Sequence, residues 1–411
     1  MERVKMVNIH TKGAAGLIKI KDQIYWAGIK DWEIKRFHGE EYSTHRGSTY
    51  NSYLIKDQKI ALVDTVWTPF HEGFVEDLER EVGLKNISLI VINHTEQDHA
   101  GSLAYLMEKI PEVPIYCTKN GAMMIKKHFH RDWNFNVVKT GDSVELGKNR
   151  LVFVEMTMLH WPDSMATYVA GANVLLSNDA FGQHYVSPHL FNDQVDQGEL
   201  FQEAIKYYAN ILTPFSRLVK AKVKEILDLK LSIEMIAPSH GIIWRDNPLQ
   251  IVQKYDQWAG DYHEGTVAVI YDTMWGATRK MALSIARGLE NKGVGAKLLN
   301  VGKSDKNDII TEIFKSRGII VGSSTINKVI LNSTAALLEM VKGLQFKNKI
   351  GASFGSYGWS GESVKIIQER LKESGIEVVQ EGIKMQYDPE PEDLKACEAF
   401  GEAFAARLLD Q

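Results

Sequence analysis

The stretch His94-Thr95-Glu96-Gln97-Asp98-His99 sets four metal-capable side chains within six residues, directly after the apolar run Leu89-Ile90-Val91-Ile92. That run reads as a buried strand ended by Asn93. His94, Glu96 and Asp98 recur at period two, so a chain leaving the strand extended points all three to one side, with His99 opening the turn into a helix. One such loop can feed two metal ions. A solvated polar loop is the plain alternative, but three more residues share the same placement just past an apolar stretch. They are His160 in Leu159-His160-Trp161-Pro162-Asp163, Asp179 in Ser177-Asn178-Asp179, and His240 in Pro238-Ser239-His240-Gly241.

The pattern His-x-Glu-x-Asp-His, followed by isolated His, Asp and His, resembles the metallo-β-lactamase-like domain of the flavodiiron proteins. The resemblance implies an αββα sandwich and two non-haem iron ions. One iron takes His94, Glu96 and His160, the other Asp98, His99 and His240, and Asp179 bridges them. Hydrolytic zinc relatives usually carry His where this chain has Glu96; a carboxylate there hardens the donor set toward iron.

The chain has 411 residues, 44% hydrophobic and 24% charged, with a formal net charge of -4. Two domains are expected at that length. The charge argues against nucleic-acid binding, and no basic run contradicts it. The start, Met1-Glu2-Arg3-Val4-Lys5, leads into no apolar core, and no stretch is apolar enough to span a membrane, so the expected location is cytoplasmic. Cys117 and Cys397 are the two cysteines, too few for a built-in rubredoxin or iron–sulfur cluster.

Residues 17–92 alternate short apolar runs with turn signals and read as antiparallel strands and hairpins, with a helix over 72–82. Further strands are expected at 114–117, 136–139, 150–155, 167–169, 173–176 and 235–237, long helices over 199–230, and a closing helix at 249–259. The texture changes near Gly260-Asp261-Tyr262-His263-Glu264-Gly265, giving a first domain of 1–262 and a second of 263–411. In the second, strands at 267–271, 296–301, 318–322, 350–354 and 377–382 alternate with helices, the pattern of a doubly wound parallel sheet.

Ligands of such sheets sit beyond the carboxyl ends of the strands. After the first strand comes Asp272-Thr273-Met274-Trp275-Gly276-Ala277-Thr278, with hydroxyls at both ends and a glycine that lets amides approach an anion at a helix start. A phosphate belongs there. Ser323-Ser324-Thr325-Ile326-Asn327 and Gly355-Ser356-Tyr357-Gly358-Trp359-Ser360-Gly361 follow the third and fourth strands. Small residues among aromatics let backbone reach a flavin edge while a ring stacks on its face.

This half resembles flavodoxin, so FMN is the implied cofactor, and the two halves in this order resemble flavodiiron proteins over nearly the full length. Family members often have proline where this chain has Ser324 and Asn332, a departure that bears on contacts to the flavin ring. As lone residues His38 and Tyr207 read as satisfied core side chains; the resemblance places them near the open side of the irons, as proton donors or orienters of a bound diatomic. His128 and His130 read as surface residues, while His184 and His189 could by spacing replace a ligand.

The runs 134–142, 207–218 and 244–248 look closest to the core of the nitric-oxide-reducing flavorubredoxins, which carry a rubredoxin domain after the flavodoxin half; with the sequence ending at Gln411, an external rubredoxin-like donor is expected instead. The implied function is reduction of nitric oxide to nitrous oxide, of oxygen to water, or both, with electrons relayed through FMN from an external rubredoxin-like donor. A head-to-tail homodimer, or a dimer of dimers, is the implied assembly. The alternatives are a reductase of oxygen alone, a zinc-dependent hydrolase, and a simple flavin electron carrier.

Overall fold

The computed structural model describes residues 16–410. The run Met1–Lys5, read above for a leader, lies outside them. The chain forms two compact units, the first drawn from residues up to 37, 44–204 and 224–252, the second from 38–43, 205–223 and 253 onward. The second unit thus takes in two short segments and a helix end that precede residue 263.

In the first unit, strands Ile18–Lys21, Ile24–Trp26, Tyr53–Lys56, Ile60–Val63, Ile87–Val91, Ile115–Cys117 and Phe135–Val137 form one sheet in chain order. The first four pair antiparallel as expected, but Ile60–Val63 and Ile87–Val91 pair parallel. The helix His71–Val82 between them makes a crossover, and a crossover returns the chain in the same direction.

Strands Ser143–Glu145, Arg150–Glu155, Met165–Ala170, Val174–Asn178 and Met235–Pro238 form the second sheet, again in order. Every second residue faces one shared core: Ile24 and Trp26, Ala61 and Val63, Leu89 and Val91 from one sheet, Leu151 and Phe153, Val174 and Leu176, Met235 and Ala237 from the other. Period-two burial from both sides is what a packed pair of sheets requires.

The second unit holds a parallel sheet in the order Ala296–Asn300, Val267–Tyr271, Gly318–Gly322, Ile350–Tyr357, Glu377–Val378. This is the 2-1-3-4-5 order of flavodoxin-like sheets, which bind ligands where strands one and three diverge. The last strand, expected unbroken, is split: Ile383–Gln386 pairs with the far end of Ile350–Tyr357. Between the pieces Gly382 lies so close to Val364 and Ser353 that an added Cβ would come within 2.2 Å of Val364 Cγ1. The helical stretch expected over 199–230 is divided near Pro214, where Gln197–Tyr207 gives way to a π-turn, a 3-10 turn and the helix Ser216–Asp228. Among the described residues no helix is long and apolar enough to cross a membrane.

Lys349 of this unit is 6% exposed, and its ammonium donates to the carbonyls of Phe314 at 3.0 Å and Ser316 at 2.5 Å. Burial pushes its pKa down to about 7. Because this lies below the roughly 10.4 of an unfolded lysine, its contribution is full above that pH and is lost as pH falls through about 7. Urea unfolding of Lys349→Met against the parent is therefore expected to favour the variant more at pH 7 than at pH 9. Parallel pH profiles would contradict this.

Candidate metal centre and flavin site

All seven predicted ligands of the first unit converge past strand ends. His94 follows Ile87–Val91, Asp179 follows Val174–Asn178, His240 follows Met235–Pro238, and His160 sits in the turn after Arg150–Glu155. Their donor atoms form two groups, His94 with Glu96, His160 and Asp179, and Asp98 with His99 and His240, within each of which the atoms lie no more than 4.8 Å apart.

The period-two reading of the central loop is corrected here. The chain is extended only to Glu96, which stands at the start of a short helix, Gln97–Ala100. Helical rotation then carries Asp98 and His99 away from His94 and Glu96 and into the second group. Neither His184 nor His189 enters either group.

Asp179 faces both. Its Oδ2 lies 3.2 Å from His160 Nε2 and 3.7 Å from His94 Nε2, while Oδ1 lies 3.0 Å from His99 Nε2 and 3.7 Å from His240 Nε2. His240 Nε2 is 2.9 Å and His99 Nε2 3.1 Å from Asp98 Oδ2. Donors held about 2.1 Å from one ion at right angles stand about 3.0 Å apart, so these spacings suit shared cations.

The hydrogen bonding agrees. Both carboxylate oxygens of Asp98, both ring nitrogens of His99 and Oδ1 of Asp179 are buried without a hydrogen-bond partner. Buried polar atoms left so are costly, and here they close on common points as metal ligands do. Burial opposes charge on His94, yet Asp163 and Glu96 hold its pKa well above the ordinary value. Against the same burial, Asp98 and Asp179 raise His99 to about 9. Burial would raise Asp179 too, but His99, His160 and His94 hold its carboxyl well below the usual range. The cluster is built to hold positive charge, and a metal entering it displaces protons.

Two supports set the imidazole tautomers. His94 Nδ1 lies 3.1 Å from Asp163 Oδ2, which also accepts from the Thr95 amide at 2.7 Å, and His240 Nδ1 donates to the Thr49 carbonyl at 2.6 Å. Each leaves Nε2 for a metal. Sequence reading missed both: Asp163 is one acid among many, and a backbone carbonyl has no signature. Asp163→Asn is expected to weaken metal binding roughly 10–100-fold in chelator competition. Unchanged binding would count against Asp163 as the holder of His94.

His38 and Tyr207 fall in the second unit. His38 lines a cavity of about 270 Å³ with Tyr42, Asn210 and Asn307, and the Tyr207 ring lies 6.3 Å from that of Tyr42. Within the first unit, the rings beside the cluster include Trp161, 5.1 Å from His94, Phe37 and Tyr50, 5.6 and 6.2 Å from His240, and His184, 4.8 Å from His240 and fixed by Ser48 Oγ at 2.8 Å from its Nδ1.

In the second unit the predicted loops meet at the strand ends. Gly276 has φ +98°, its amide donates to Thr273 Oγ1 at 3.0 Å, and the helix Ala277–Asn291 that it opens has no side-chain cap. An ideal Cβ on Gly276 meets nothing within 4 Å, so the space before the uncapped amides is open to an anion.

The hydroxyls of Thr278, Ser324 and Ser356 form a buried triad at 2.8–3.2 Å. Thr325 accepts the Ser363 amide and donates its hydroxyl to Ser363 Oγ, and Ile326 and Asn327 form the tight turn that follows. Trp275 is 96% and Trp359 86% exposed, with Met274, Tyr357, Gly358 and Gly361 on the same loops. Indoles left in water at a strand-end crevice are ready to cover a flat ring system. The cradle fits a flavin mononucleotide.

A metal centre of three carboxylates and four imidazoles followed by a flavodoxin-like unit defines a flavin-linked metalloenzyme. Comparison with known proteins agrees. The ODP family beta lactamase group matches residues 49–241 and the flavodoxin family residues 269–401. The chain is 52% identical over 392 residues to the anaerobic nitric oxide reductase flavorubredoxin of Escherichia coli K12, covering 94% of this chain and 82% of that protein. Its fold matches the rubredoxin oxygen:oxidoreductase of Desulfovibrio gigas with a TM-score of 0.93 at 36% identity, covering 96% of this chain and 99% of that one. The flavodiiron protein of Giardia intestinalis matches with 0.91 at 31%, covering 96% and 97%. The chain belongs to the flavodiiron protein family, whose members are oxidoreductases with FMN and a non-haem diiron centre.

Proposed function

We propose that this chain reduces nitric oxide to nitrous oxide, and oxygen to water, at a diiron site fed through FMN by a rubredoxin-like donor. The observation that carries the reading is the pair of donor groups joined by the two oxygens of Asp179. His94, Glu96 and His160 would hold one iron, Asp98, His99 and His240 the other, and Asp179 both. Bound FMN supplies one-electron relay, and the iron pair supplies open coordination positions for a diatomic gas. Asp163 and the Thr49 carbonyl keep Nε2 of His94 and His240 deprotonated toward the metals. The loop 273–278 would hold the phosphate, with Ser324, Thr325, Ile326, Asn327, Ser356, Tyr357, Gly358, Trp359 and Gly361 along the ring. His184 beside His240 is a proposed orienter of substrate; for His38 and Tyr207 the role of proton donor or orienter is proposed on the resemblance.

The preference for nitric oxide is supported by the level of identity to the Escherichia coli enzyme. We further propose that the donor is a separate protein and that the working form is a head-to-tail dimer, the closed association commonest among oligomers. With each gas fed separately to reduced protein and a rubredoxin donor, nitric oxide is expected to give one nitrous oxide per two molecules consumed, and oxygen to give water. Rapid oxygen consumption with negligible nitrous oxide would overturn the preference. Full turnover by a monomer at high dilution would overturn the dimer.

A further inference from the structure

Tyr50 is fully buried beside the metal cluster, its ring 6.2 Å from that of His240 on one side and 5.8 Å from that of Trp67 on the other. Phe70 packs 5.5 Å from Tyr50 and 6.3 Å from Trp67, on the flank of both rings. Trp67 is partly exposed.

The phenol of Tyr50 donates to a carboxylate, Asp31 Oδ2, at 3.2 Å. Asp31 is itself aimed: its Oδ1 accepts the amides of Glu33 at 3.2 Å and Ile34 at 3.1 Å, leaving Oδ2 for Tyr50. The neighbouring buried Tyr53 shows what a purely structural tyrosine does here, donating at 2.6 Å to the Pro238 carbonyl, which takes no proton. A phenol can lose an electron readily only if its proton has somewhere to go, and Tyr50 alone of the two has a base in place.

We propose that Tyr50 and Trp67 form an escape route that carries oxidising equivalents from the diiron site to the surface when oxygen meets a protein holding too few electrons to reduce it fully. The proposal rests on the oxygen-reducing reading of the cluster. Oxygen needs four electrons and four protons to become two waters, so a partly reduced protein leaves the site oxidising. Tyr50 then gives one electron to the site and its phenolic proton to Asp31, becoming a neutral phenoxyl radical. Trp67 passes an electron to that radical and Asp31 returns the proton, which restores Tyr50 and leaves a tryptophan radical cation. A one-electron reductant in solution, of the thiol or ascorbate class, restores Trp67.

The test is rapid freeze-quench electron paramagnetic resonance of the holoprotein, reduced with fewer than four electron equivalents and mixed with oxygen. Peptide mass spectrometry then scores tryptophan oxidation. The expected result is a tyrosyl signal, then oxidation of Trp67 exceeding that of the more exposed Trp32, which is 51% exposed but off the route. Ascorbate suppresses that oxidation. Tyr50→Phe abolishes the signal and spares Trp67 while oxygen is still consumed, whereas Trp67→Phe prolongs the tyrosyl signal. The same radical in Tyr50→Phe, or oxygen consumption with no radical in the parent, overturns the route alone. A loaded protein that consumes no oxygen overturns the oxygen-reducing reading with it.

Discussion

Asp179→Asn is expected to drop bound iron from about two ions per chain to less than one and to abolish gas reduction. Each carboxylate oxygen serves a different donor group, Oδ2 toward His94 and His160, Oδ1 toward His99 and His240. An amide offers one acceptor oxygen, neutral and weaker, to one group and turns an NH2 toward the other, so one site loses its ligand and gains a donor while both lose the shared negative charge. The side chain is also 3% exposed, and His94 and His99 carry raised pKa values partly through it. Removing one partner of buried charges costs about 3–5 kcal/mol, enough to disturb the empty site as well. Elemental analysis after expression with plentiful iron decides the matter, and an Asp179→Asn protein with full iron would mean that the carboxylate bridges nothing.

Gly276→Val should yield colourless protein with an intact second unit. At φ +98° a β-branched residue is strained by about 1–3 kcal/mol. The added side chain also enters the open space before the uncapped start of Ala277–Asn291. That strain weakens FMN only to the extent that the empty loop relaxes it, by up to roughly a hundredfold at about 1.4 kcal/mol per tenfold, and the side chain's intrusion on the amide contacts adds to that. Flavin absorbance of the purified variant and FMN titration check it. A yellow, fully loaded Gly276→Val protein would place the phosphate elsewhere.

The candidate ligands were readable because each lies just past an apolar run, and an apolar run of strand length ends at a sheet edge where side chains are presented. For the same reason the candidate FMN loops were legible at the ends of three parallel strands. The partition of Asp98 and His99 by a helical turn was not, because Gln97–Ala100 is too short to show a helical period in the sequence. Nor was the parallel pairing of Ile60–Val63 with Ile87–Val91, which depends on treating the helix between them as a crossover. Asp163 and Thr49 act through tertiary contacts 69 and 191 residues away in sequence, and no local pattern announces such partners. Segments 38–43 and 205–223 pack with the second unit although they precede the change in sequence texture.

The paired donor groups are expected to hold iron, not zinc. Metal and flavin content per chain, measured on protein expressed with both iron and zinc available, is expected to give about two irons and about one FMN, with nitrous oxide formed on reduction. About two zincs per chain together with hydrolytic turnover would contradict it.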